Sequence, residues 1–89
     1  MGDSITFENH RVRVHRVTHT AREQHSPVSR NDRLIIYLRD GHITRIESGK
    51  REVIQHKAGD VVWRGASHHQ IVNMSNSDHE VVIIELKET

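Results

Sequence analysis

The chain has 89 residues, with 13 Lys and Arg against 12 Asp and Glu and no cysteine. That length supports one small domain, residues 1–89, with a modest core. A net charge of +1 gives no electrostatic reason to expect nucleic acid or an anionic membrane as partner, and the absence of thiols excludes disulfide staples and cysteine nucleophiles. With no apolar run of about 18 residues and no charged-then-apolar leader, the expectation is a cytoplasmic protein.

The hydropathy pattern is β throughout. Residues 5–8 predict a short strand. Residues 11–20 alternate, with Val12 and Val14 on one face and Arg11, Arg13 and His15 on the other; Val17 breaks that parity, which predicts a bulge near His15 and Arg16. Residues 21–32 are polar, hold the only proline and predict a loop. The branched and aromatic residues 33–38 predict a buried strand, and Asp40-Gly41 is a two-residue hairpin signal. Residues 42–47 return as a strand in which the spacing of Ile43 and Ile46 predicts a twist or bulge. A turn at Ser48-Gly49-Lys50, a strand over 52–56 and a turn at Ala58-Gly59-Asp60 follow. Further strands are predicted at 61–63 and 69–74, then a polar loop at 75–78 and a last strand containing Val81, Val82, Ile83 and Ile84. Strand signals spaced roughly 8–12 residues apart, with no long helical pattern, predict an all-β sandwich or small barrel. The last strand is apolar on both faces. One face can fill a barrel, and the other must meet a second sheet or a partner subunit, which predicts a homodimer.

Residues 59–73 carry the strongest functional signal. A Gly-Asp turn opens an apolar run, a small-residue corner follows, and His69, Ile71 and Asn73 then share one strand face. An imidazole and an amide projecting together beside apolar neighbours suit the lining of a small polar pocket. Tyr37 is either a pocket donor or a core ring, and Trp63 either stacks on a ligand or packs. Asn73 either binds a ligand or caps a turn. Glu85 is either a pocket acid or a paired edge carboxylate near Lys87. The nine histidines stand at 10, 15, 19, 25, 42, 56, 68, 69 and 79, most of them where alternation predicts solvent.

Over residues 11–87 the chain resembles a small single-domain cupin of the RmlC-like superfamily. Gly59-Asp60, the corner Gly65-Ala66-Ser67, and His69 with Asn73 resemble the second cupin motif, with no proline in the corner and one residue fewer. Residues 34–41 resemble the trailing half of the first motif, and residues 82–87 the last strand of many small cupins. The resemblance implies a double-stranded β-helix, or jelly-roll barrel, of about eight strands, with a ligand pocket at His25, Tyr37, Trp63, His69 and Asn73.

In metal-bearing cupins the first motif supplies His-x-His and an acid, and the second a further His. Here His25 matches the first imidazole, but Pro27 stands at the second. Counting forward from His25 puts the acid at Asp32; counting back from Gly41 puts Leu34 there. His25, His69 and Asp32 are then the implied ligands of one divalent transition metal, Fe, Mn, Ni, Zn or Cu. Three readings stay open. The first is a binding protein for a small polar or anionic molecule without a tightly held metal. The second is a metal-dependent oxygenase, isomerase or lyase using His25 and His69. The third is a dimeric interaction module.

Overall fold

The computed structural model describes residues 2–87. The described residues form nine strands and no helix: β1 (Gly2–Glu8), β2 (Val12–His19), β3 (Val28–Arg30), β4 (Arg33–Tyr37), β5 (Gly41–Glu47), β6 (Lys50–His56), β7 (Val61–Arg64), β8 (Ser67–Val72) and β9 (His79–Leu86). They make two antiparallel sheets, ordered β1-β2-β9-β4-β7 and β3-β8-β5-β6. The sheets face each other across an apolar interior. From the first come Val17, Tyr37, Val81 and Ile83, which are buried, with Ile35 and Val62 against them; Ile54 closes over them from the second. Burying each such aliphatic side chain contributes roughly 1.5–3 kcal/mol.

Four local expectations change. β2 carries no bulge: it pairs in unbroken register with β9 from Val12↔Leu86 to His19↔His79, and the irregularity lies in β1, between Ile5 and Phe7. The parity break at Val17 arises because valines stand on both faces of β2, Val17 turning inward with His15 and His19, and Val12 and Val14 outward. Asp40-Gly41 is not a hairpin. It joins β4 to β5, which belong to different sheets, so the turn signal serves a corner between layers. The tight hairpin lies at Ser48-Gly49, where both residues have positive φ (52° and 77°) and Glu47 faces Lys50, as a two-residue primed turn requires. β5 runs in regular register, so Ile43 and Ile46 sit on opposite faces without a bulge. The predicted loop over 21–32 also contains the short β3, paired with β8 through Val28↔His69.

Asn73, fully buried just beyond β8, holds the end of the barrel together. Its Nδ2 donates to the carbonyls of His19 (2.8 Å) and Ser77 (2.9 Å), and its Oδ1 accepts from the Ser75 N–H (3.0 Å) and hydroxyl (2.8 Å). One amide therefore ties the end of β2 to the loop before β9. Because Asn73→Ala leaves several buried groups without partners, it should lower the unfolding free energy by about 3 kcal/mol. Urea unfolding followed by circular dichroism measures this.

Candidate functional site

The two sheets enclose a cavity of about 220 Å³, smaller than the roughly 300–1,000 Å³ of drug-sized pockets. Its walls are aliphatic: Val17, Ile35, Ile43, Ile54, Val81 and Ile83. Its polar lining falls into two groups at opposite ends of β4. Arg33 begins that strand and Tyr37 ends it, about 13 Å away at strand rise. Glu85 pairs with Arg33, and Val81 with Tyr37, so the same polarity runs along β9.

The basic group comprises Arg30, Arg33, Arg45, Arg64 and His69. Arg33 is 1% exposed. Its Nη1 donates to the carbonyls of Asn31 (3.2 Å) and Gly65 (3.1 Å), and its Nη2 to the Ser67 hydroxyl (3.3 Å). The same hydroxyl accepts from Arg45 Nη2 at 3.1 Å and lies 3.0 Å from His69 Nδ1. With its oxygen accepting from two guanidinium groups, Ser67 must donate its proton to His69, which leaves the His69 proton on Nε2. Burial, then the neighbouring Arg33 and Arg45, push His69 down to about 4. Burial, followed by Arg30 and Arg45, brings Arg33 down to about 10, where it is still charged at neutral pH. The other arginines have acids: Arg45 bonds Glu47 (2.7 Å), Arg30 bonds Asp3 (3.2 Å), and Arg64 approaches Glu52 (3.9 Å). Among the described residues, the Arg33 guanidinium hydrogen-bonds no carboxylate. Glu85, opposite it in register, gives its oxygens to His15 Nε2 (3.0 Å) and the Asn31 N–H (2.8 Å).

The second group is a run of imidazoles. His25 meets His19 edge-on at 4.4 Å between ring centres, His19 lies 5.1 Å from His79, and His79 lies 4.9 Å from His56, which stacks on Tyr37 at 4.2 Å. The Nδ1 atoms of His19 and His79 are 2.9 Å apart, so one proton lies between them. Burial and then the adjacent imidazole depress both, His19 to about 3 and His79 to about 4. His25 faces Glu23 at 3.3 Å; burial still outweighs that carboxylate and lowers it.

The structure brings His25, Tyr37 and His69 to the cavity lining and places the other sequence candidates elsewhere. Trp63 is 53% exposed, opposite Leu34 on the outer face of its sheet. Asn73 does not line the cavity; its amide ties loops. Asp32 is exposed, and its Oδ1 accepts the Ala66 N–H at 2.8 Å. Glu85 is buried on a central strand, paired with His15 instead of near a sheet edge with Lys87; although burial pushes its carboxyl up, the Asn31 N–H and His15 together bring it below the usual range. Most histidines are inside: His15, His19, His56, His69 and His79 are buried. Their polarity hid them from alternation, and so did the arginines at inward positions. The implied metal centre does not fit. Among the described residues no three His, Asp or Glu side chains are grouped to hold a metal, and the guanidinium groups beside His69 would repel a cation.

His19, His69 and His79 are neutral in the folded protein and titrate near 6.5 once unfolded. Between about pH 6.5 and pH 4 the unfolded chain therefore binds more protons, and stability falls as pH falls, by up to about 1.4 kcal/mol per pH unit for each ring. Urea midpoints from pH 7.5 downward should decline through this window, and His79→Phe should flatten the decline.

No protein-family model and no curated protein matches the sequence. Solved structures do match. A cupin domain from Bordetella pertussis Tohama I superposes with a TM-score of 0.90 at 18% identity, covering 97% of this chain and 92% of that one. An RmlC-like cupin family protein with a double-stranded β-helix fold, from Methanocaldococcus jannaschii, gives 0.77 at 15% identity, covering 96% and 78%. A cupin superfamily protein from Desulfitobacterium hafniense DCB-2 gives 0.72 at 17%, covering 97% and 76%. At these identities the likeness concerns the backbone, and with two facing antiparallel sheets around a cavity it is decisive there: the chain has the cupin fold, a double-stranded β-helix.

Proposed function

We propose that this cupin-fold protein binds a small organic anion in the barrel, with its acidic group at Arg33, Arg45 and His69 and its apolar body against the aliphatic walls. The observation that carries this reading is Arg33. A guanidinium that is 1% exposed, lines a cavity and hydrogen-bonds only neutral oxygens is a buried charge without a bonded counter-ion. Burying such a charge is costly, and a carboxylate or phosphate in the cavity would offset that cost through charge-assisted hydrogen bonds. Four arginines line the cavity, and with Arg45, Arg30 and Arg64 paired to Glu47, Asp3 and Glu52, Arg33 is the charge left to favour an anion. His19 and His79, which burial keeps neutral at neutral pH, suit a hydroxyl or carbonyl at the far end of the ligand. No reaction follows from these groups, so the reading is of binding alone.

The test is calorimetry and thermal shift with short-chain carboxylates against the alcohols and amines of the same chain length. The carboxylates should bind and stabilise, and Arg45→Gln should weaken them by roughly 10- to 150-fold, the range of a lost hydrogen bond to a charged group. Equal binding of alcohols or amines would overturn the proposal. So would a stoichiometric transition metal, found by elemental analysis of protein purified without chelator.

A further inference from the structure

Beyond the imidazole run lies a second pocket, of about 190 Å³, where the turn entering β5 meets the loop before β9. Asp40, Gly41, His56, Ser77, Asp78 and His79 line it, and no Lys or Arg does. His79 also lines the main cavity, so its ring stands in the wall between the two. Asn73 holds one side of the pocket in place, because it bonds Ser75 and Ser77 within the loop that carries Asp78.

Two imidazole nitrogens here have no partner. His56 and His79 are 7% and 6% exposed, and the Nε2 of each is buried without a hydrogen bond. For His56 the tautomer follows from its other nitrogen. Nδ1 lies 2.9 Å from the Arg39 carbonyl, which can only accept, so Nδ1 carries the proton and Nε2 of the neutral ring is a bare lone pair. Gly41 leaves that ring edge uncovered: a Cβ there would stand 3.9 Å from His56 Cε1. His79 shares a proton with His19, so its Nε2 accepts when that proton lies on its own Nδ1. The carboxylates are acceptors too. Asp40 takes the Ala58 N–H (2.8 Å) and Asp78 the Ala21 N–H (3.0 Å), each through Oδ1, leaving Oδ2 of each to a ligand. The pocket is rich in acceptors and poor in donors, and burying an acceptor without a donor is costly.

We infer that this pocket is a second binding site, for a small organic cation carrying a primary ammonium group. The three N–H donors of such a group equal in number the acceptors Asp40, Asp78 and His56 Nε2, and its charge meets two carboxylates with no Lys or Arg beside them in the pocket. A metal ion is the poorer match, since among the described residues no three His, Asp or Glu side chains are grouped to hold one. A neutral polyol would leave both carboxylate charges unmet. This site does not depend on anion binding in the main cavity: the two linings are opposite in charge and share only His79.

NMR of isotope-labelled wild-type protein titrated with methylammonium tests this. The His56 ring nitrogen and the amides of Gly41, Ser77 and Asp78 should move, with a dissociation constant in the millimolar range that rises with added salt. Asp40→Asn and Asp78→Asn keep an oxygen for the Ala58 and Ala21 N–H groups, so each should retain the fold and weaken binding by roughly fivefold, the upper range of an exposed ion pair. Tetramethylammonium, equal in charge but without N–H donors, and glycerol, with donors but no charge, should leave these signals in place. Any of three results overturns the assignment: methylammonium moves nothing here, either control moves the same signals, or neither Asn variant weakens binding. Shifts centred on Arg33 and Ser67 would overturn it as well and would also count against the anion reading, whereas a failure of carboxylates to bind would leave the ammonium result standing.

Discussion

A guanidinium carried into the barrel at Arg33 is the constraint on which the site depends. It enters at the first residue of a strand whose remaining side chains are aliphatic or aromatic, and its donors are met by the Asn31 and Gly65 carbonyls and the Ser67 hydroxyl. The corner at residues 65–67 therefore does more than turn the chain from β7 into β8. It supplies a carbonyl and a hydroxyl at the height of the buried charge. Through that hydroxyl the charge reaches Arg45 and fixes the His69 tautomer. Ser67 accepts from two guanidinium groups and donates to one imidazole, so its small side chain orders three larger ones.

The same charge decides what His69 can do. An imidazole in a barrel can accept a proton, bind a metal or donate a hydrogen bond. Positive neighbours oppose the first two and favour the third, because both a proton and a metal ion bring charge of the wrong sign. His69 is best read as a neutral Nε2–H donor held beside arginines. At the other end of β4, His19 and His79 are neutral for the same main reason, burial, with the mutual repulsion of rings a few ångströms apart in place of the arginines. One cavity thus has a cationic end and a neutral polar end, separated by aliphatic walls.

The architecture was largely legible in the sequence, because strand spacing and turn residues act locally. Of the three residues read onto one face, His69 and Ile71 line the cavity and Asn73, just past β8, does not. What local pattern could not carry was pairing across the fold. Asp40-Gly41 has hairpin chemistry, yet β4 finds its partners in β7 and β9, so its turn is spent on a change of sheet. Asn73 was legible as buried polar chemistry, but its carbonyl partners, His19 and Ser77, come from different segments, and only their meeting shows it to be a tie. An anionic ligand was expected, but no particular arginine was singled out for it: Arg33 and Arg45 sit at inward positions, where alternation assigns apolar residues, and the signal for them was their parity with the buried Tyr37 and Ile43.

The apparent parity break at Val17 leads furthest. Read as a defect, it predicted a bulge; in the fold, β2 is regular, and the break comes from valines on both of its faces, Val17 inward and Val12 and Val14 outward. β9 has the same character, with Val81 and Ile83 inward and Val82 and Ile84 outward. β4 shares it, with Leu34 and Ile36 facing out. A sheet with one wet face alternates apolar with polar, so three adjacent central strands that fail to alternate describe a sheet between two dry layers. The facing sheet supplies one of them. The other face is left open in a single chain, with Phe7, Val61 and Trp63 more than half exposed, so the local irregularity in the hydropathy pattern marks an apolar face and not a bulge.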